Sequence, residues 1–244
     1  MTTTNNKGAP TMARKSNTPQ DGLTKKTFEP LTENQSIAQA AWKNNKHLML
    51  IGSAGSGKTY IGLNFAIEEL DKKGSGVRKI VIIRSSVSVR DVGFMPGNAK
   101  EKARHYEAPY ISVVNQTFGR GDAYDVMKGK NKIDFSLTSF LRGTTFDDCV
   151  ILVDEVQNMS FQELNTIITR IGVNSRIIFC GDTKQDDLTS ERFKETSGLR
   201  QFISIINRLN EFETVQFTTD DIVRSDLVKN YIIAKELVEL GQAT

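Results

Sequence analysis

Short apolar runs rich in β-branched residues alternate along this chain with longer stretches in which apolar positions recur at helical spacing. The runs are Leu48 to Ile51, Ile80 to Ile83, Val150 to Val153, Ile177 to Cys180 and, in a weaker pattern, Thr214 to Phe217. Strands this uniformly apolar are buried on both faces. The alternation therefore predicts an α/β fold, a doubly wound parallel sheet with helices on both faces. Helices are expected over 34–45, 58–72, 101–118 with a break at Pro109, 160–171, 198–210 and 225–240. Segment 85–147 is the least regular. It holds Gly93-Phe94-Met95-Pro96-Gly97, the charged run Lys100 to Arg104, and Gly129-Lys130-Asn131-Lys132. Insertions over the carboxyl edge of a parallel sheet are where such folds grip ligands, so a polymer substrate is expected there.

Composition changes this picture little. The 244 residues suffice for one large domain, read here as a basic tail over 1–26 and a single domain over 27–244. Apolar residues at 38% and charged residues at 25% are the proportions of a soluble globular protein. No apolar stretch approaches the roughly 18 residues of a membrane span, and the polar start predicts no secretory signal. Cys149 would open one strand and Cys180 close another, too far apart for a bridge, which fits a reducing, cytoplasmic compartment. His47 and His105 share no metal-ligand spacing with them.

Charge is more informative in its distribution than in its sum. The formal net charge is +3, but the tail carries Lys7, Arg14, Lys15, Lys25 and Lys26 against Asp21 alone, which leaves the domain one charge negative. The tail is too poor in large apolar residues to order itself. It reads either as a solvated terminus or as a nonspecific contact for phosphate backbones.

The chemistry begins after the first apolar run. Gly52-Ser53-Ala54-Gly55-Ser56-Gly57-Lys58-Thr59 spells the phosphate-loop pattern G-x-x-x-x-G-K-[ST] between a strand and a helix. Glycines let the backbone wrap a polyphosphate with its N–H groups at the positive end of a helix. Lys58 would reach the β- and γ-phosphates, and Thr59 would place its hydroxyl on Mg²⁺.

The run from Cys149 to Val153 then ends in Asp154-Glu155. Asp154 would hold Mg²⁺, and Glu155 would act as general base on the attacking water. Adjacent carboxylates in these two roles point to hydrolysis rather than transfer to a metabolite. One strand later comes Gly181-Asp182-Thr183-Lys184-Gln185. An amide is donor and acceptor at once, so Gln185 can bond both a γ-phosphate oxygen and the water, as a sensor of hydrolysis.

Taken together these residues resemble the PhoH family, phosphate-loop ATPases related to superfamily 1 helicases. The resemblance runs from about Pro30 to about Leu240. It includes Pro30-Leu31-Thr32-Glu33-Asn34-Gln35, similar to an adenine-reading glutamine motif, and Gly93 to Lys102, similar to GFLPGDLKEK. It also includes Phe140-Leu141-Arg142-Gly143-Thr144, Leu152 to Asn158, Thr169-Arg170-Ile171-Gly172, Gly181 to Gln185, and Val223 to Val228. The resemblance implies a RecA-like phosphate-loop NTPase fold, ATP and Mg²⁺ as cofactors, Gln35 as an adenine contact and Arg224 as an arginine finger. Arg84-Ser85-Ser86 departs from the family's Arg-Pro, and Ser225 from a common histidine. The short form resembles versions found in phages, which implies host cytoplasm, and without a nuclease-like segment no nuclease activity is expected.

Arg224 lies beyond the last predicted strand, and the chain has one phosphate loop and no second module. A finger is therefore expected from a neighbouring subunit in a head-to-tail homo-oligomer, which the resemblance makes a hexameric ring. The alternative role for Arg224 is a cap or surface ion pair. An ATP-driven translocase or helicase on RNA or single-stranded DNA would use Arg84, Arg90, Lys100, Lys102, Arg104 and Arg142, with Phe94, Tyr106 or Tyr110 as stacking faces. The same charges could instead be a solvated face balanced by Asp91, Glu101 and Glu107. The competing functions are a nucleotide-dependent switch or assembly ATPase acting on a protein partner, and a small-molecule kinase, which Asp154-Glu155 and Gln35 disfavour.

Overall fold

The computed structural model describes residues 23–85, 99–141, 143, 145–182 and 198–239. Six parallel strands form one sheet in the order β3-β2-β4-β5-β1-β6. They are β1 (His47–Gly52), β2 (Lys79–Arg84), β3 (Ile133–Leu137), β4 (Cys149–Asp154), β5 (Arg176–Gly181) and β6 (Phe212–Phe217). The helices are α1 (Glu33–Lys43), α2 (Lys58–Asp71), α3 (Ala99–Phe118), α4 (Ala123–Gly129), α5 (Phe161–Ile168), α6 (Leu199–Ile206) and α7 (Asp226–Glu239).

Side chains alternate between the two faces of a strand, and both faces are buried here. Leu48, Leu50, Ile80, Ile82, Val150, Leu152 and Ile178 pack with α1, α2, α3 and α4 in one core. Their neighbours Met49, Ile51, Val81, Ile83, Ile151, Val153 and Phe179 pack with α5 and α6 in a second. The doubly wound arrangement is thus a direct consequence of uniformly apolar strands. Cys149 and Cys180 are both free and buried. No helix among the described residues is long and apolar enough to cross a membrane.

Three sequence expectations need correction. The irregular segment contains a strand and a helix of its own, β3 and α4, whose apolar residues are interrupted by Asp134, Asp125 and Lys128. Pro109 does not break its helix. It lies inside α3, which continues to Phe118. A proline in a helix interior costs about 3 kcal/mol, but Tyr110, Val114 and Tyr106 bury their side chains on its two sides and hold the helix together. Residues 23–26, grouped with the tail by composition, pack on the domain. Leu23 joins the first core, Lys26 N donates to Thr117 O at 2.8 Å, and Lys25 approaches Asp71 at 3.9 Å.

The strand order sends the chain from β1 across to β2 and β3, and back through β4 and β5 to the neighbour of β1. The carboxyl ends of β1, β4 and β5 are therefore gathered at one edge, where open α/β sheets bind their ligands.

Candidate active site

The phosphate loop leaves β1 at Gly52, which has φ +139° and lies so close to β6 that a Cβ would sit 1.9 Å from the Phe217 carbonyl oxygen. Only glycine fits there. The loop enters α2 at Lys58 through Gly57, in the left-handed conformation. Ser56 Oγ donates to Ser53 O at 2.9 Å and closes the loop on itself. Lys58 Nζ donates to Gly52 O at 2.7 Å and Ser53 O at 2.8 Å. Burial lowers the Lys58 pKa, while Asp182, Cys180, Asp154 and Glu155 oppose that shift. An ammonium held over the loop's own carbonyls, ringed by carboxylates, has phosphate oxygens within reach as alternative partners.

Asp154 ends β4, in register with Arg84 at the end of β2. Its Oδ1 accepts from Thr59 Oγ1 at 3.0 Å and its Oδ2 from Tyr110 Oη at 3.0 Å. Burial, then the charge of Glu155, pushes the Asp154 pKa up to about 6, against the pull of these two hydrogen bonds and of Arg84. Tyr110 is itself driven well above its ordinary value by burial and by Asp154, so its hydroxyl is a neutral donor. Among the described residues no group of three or more His, Cys, Asp or Glu could hold a metal alone. Thr59 and Asp154 nevertheless suit Mg²⁺, which takes one or two protein oxygens and completes its shell with phosphate and water.

Glu155 follows with φ 56° and ψ 45°, a left-handed conformation uncommon outside glycine. Gln157 Nε2 donates to Glu155 Oε2 at 2.5 Å, and Gln157 Oε1 accepts from Asp182 N at 3.0 Å. One amide thus ties the candidate base to the end of β5. Its approach requires Gly181, where a Cβ would meet Val156 Cγ2 at 2.4 Å and Gln157 Oε1 at 3.2 Å.

The adenine candidate Gln35 lies in the first turn of α1, buried, with Oε1 accepting from Leu31 N at 2.9 Å. Beside it Asn34 Nδ2 donates to Asp221 Oδ2 at 2.7 Å, which fastens α1 to the turn after β6. That turn leads to Arg224. Arg224 is not remote from the phosphate loop of its own chain. Arg224 Cγ lies 3.5 Å from the place a Gly55 Cβ would occupy, with Ile222 Cγ2 at 3.6 Å, and Val223 Cγ2 is 3.7 Å from that of Gly57.

Gln185, Arg90, Phe94, Arg142 and Asp91 fall outside the described residues. So do the side chains of Lys100, Glu101 and Lys102. Of the stacking candidates, Tyr110 is fully buried and Tyr106 nearly so, and neither offers a ring to a base. Arg104 pairs with Asp125 through two 3.0 Å contacts. Glu107 is no part of a solvated face, being buried and bound by Tyr124 Oη at 2.9 Å and by Lys128. Arg84 differs: its Nε is buried with no hydrogen-bond partner among the described residues. Gln157 and Asp182 are site residues that sequence reasoning did not single out, and Tyr110 was read as a stacking face rather than as a partner of Asp154. Asp182 and Gln157 stood inside quoted motifs, whereas Tyr110 carried no local signal.

The chain is similar to known proteins over most of its length. The chain is 30% identical over 210 residues to a PhoH-like protein of Bacillus subtilis, covering 86% of this chain and 64% of that one. It is 29% identical over 196 residues to the protein PhoH of Escherichia coli, covering 80% and 54%. The chain spans less than two thirds of the length of either relative. Likeness to solved structures is distant, as with the large terminase of a thermophilic bacteriophage at a TM-score of 0.49 and 12% identity, covering 83% of this chain and 50% of that one. The family model described as PhoH-like protein matches residues 27–236, and the chain belongs to the PhoH family.

Proposed function

We propose that this chain hydrolyses ATP with Mg²⁺ and couples hydrolysis to binding, translocation or unwinding of RNA or single-stranded DNA. The observation that carries the reading is the Thr59–Asp154 pair at 3.0 Å, beside Lys58 and Glu155 at one sheet edge. Lys58 exchanges the carbonyls of Gly52 and Ser53 for phosphate oxygens. Thr59 and Asp154 hold Mg²⁺, which supplies charge neutralisation to the phosphates. Glu155, steadied by Gln157, takes the proton of the attacking water. Gln35 contacts adenine and Gln185 senses the γ-phosphate. Arg224 stabilises transition-state charge, and its stem beside Gly55 supports delivery within one chain. The homo-oligomeric ring, a hexamer by the resemblance, then serves to surround the polymer rather than to complete the site.

The test is the ATPase rate with and without single-stranded RNA and DNA over a salt series, followed by duplex unwinding. Stimulation that fades with added salt is expected. An unchanged rate with no binding at low salt hands the site to the alternative, a nucleotide-dependent switch or assembly ATPase acting on a protein.

A further inference from the structure

The carboxylate that closes β4 is fixed at both oxygens, by two elements far apart in sequence. Thr59 of α2 takes Oδ1, and Tyr110 of α3, 44 positions upstream, takes Oδ2. Asp154 is 6% exposed and the Tyr110 side chain is fully buried, its ring against Phe135 at 5.9 Å. Water is thereby kept from Oδ2. A carboxylate buried this deeply leaves an oxygen unsatisfied unless a donor meets it, and an aspartate at a strand end otherwise has two free torsions.

We infer that Tyr110 is a positioning residue for the metal site, holding the Asp154 carboxylate so that Oδ1 faces Thr59 and the cation. The inference rests on the magnesium–nucleotide reading of the site. It adds α3 to a machinery otherwise built from α2 and β4. Partners behind a metal ligand that orient it typically contribute about 10- to 100-fold to metal affinity. Tyr110 touches neither nucleotide nor phosphate in this role, so its effect falls on the metal and spares the bare nucleotide.

The test compares Tyr110→Phe with Tyr124→Phe, which removes an equally buried hydroxyl from Glu107 rather than from the site. Mn²⁺ binding to the ADP complex is followed by electron paramagnetic resonance, and ADP binding in EDTA by calorimetry. Tyr110→Phe is expected to weaken Mn²⁺ about tenfold or more while ADP in EDTA binds as in the wild type. Tyr124→Phe is expected to leave both affinities unchanged. The rise in unfolding temperature on adding Mg²⁺ to the ADP complex gives a second readout that survives a loss of basal stability. It should shrink in Tyr110→Phe alone. Mn²⁺ affinity within twofold of wild type, or an equal loss in Tyr124→Phe, overturns the assignment and leaves the magnesium–nucleotide reading standing. A wild-type chain that binds no Mn²⁺ with ADP overturns both.

Discussion

Glu155 shows how a single backbone conformation sorts chemistry. The left-handed turn at Glu155 gives the second carboxylate a partner of its own, although its charge still raises the pKa of Asp154. Gln157 then holds Glu155 against Asp182 N. Glu155→Gln should keep ATP binding and lower turnover by about 10²- to 10⁴-fold, the usual worth of a general base. Single-turnover kinetics with radiolabelled ATP checks it, and undiminished turnover would remove Glu155 from the role. Gln157→Leu should keep nucleotide affinity and cost about 10²-fold in turnover, since a misplaced base loses its attack geometry. A rise in KM without a fall in kcat would contradict this. The phosphate loop and Asp154-Glu155 were legible in sequence because their grammar is local, a few residues between a strand and a turn. Gln157 was visible only as a motif member, because its second partner lies 25 positions away.

Among the elements, the contrast lies between strands and the helices that cover them. Each predicted apolar run is a strand, because burial on both faces leaves an unbroken apolar signature. At the edge the signature fades: β3 is paired on one side only and carries Asp134 and Ser136. Pro109 misled because local propensity is weaker than packing. Pro109→Ala should restore a donor to α3 and raise stability by up to about 3 kcal/mol, seen as a higher urea midpoint with an unchanged slope. A lower midpoint would mean that Pro109 is needed to seat Tyr110. At the amino ends of the strands Arg176 opens β5, which lies inside the sheet between β4 and β1. It stacks on Trp42 at 3.2 Å, pairs with Glu69 at 2.8 Å and donates to Trp42 O and Lys46 O. Arg176→Ala leaves the buried Glu69 carboxylate, among the described residues, with only its 3.5 Å contact to Lys72 and should cost about 3–5 kcal/mol, the typical loss when one partner of a buried ion pair is removed. The folded fraction should keep wild-type nucleotide affinity, because this cluster sits at the amino ends of the strands.

At the scale of the whole molecule the question is whether one chain completes its own site. The sequence placed Arg224 after the last strand with no second module in view, which implied a neighbour. In the fold β6 lies beside β1, and the turn after it brings the stem of Arg224 to the phosphate loop of its own chain. Such proximity was illegible because strand order, not sequence distance, creates it. The Asn34–Asp221 bond then ties α1, with its candidate adenine contact, to the turn that carries Arg224. Mixing decides between the arrangements. Lys58→Ala and Arg224→Ala subunits, each expected to be inactive alone, are combined under conditions that exchange subunits. If Arg224 serves its own chain, every subunit in the mixture lacks one essential group and ATPase stays at background at all ratios. If it serves a neighbour, the interface between an Arg224 donor and a Lys58 acceptor is intact, and activity appears with a maximum near equal proportions. The stem of Arg224 beside Gly55 predicts the first outcome. A peak of activity would instead restore the finger in trans and make the ring a part of the catalytic site.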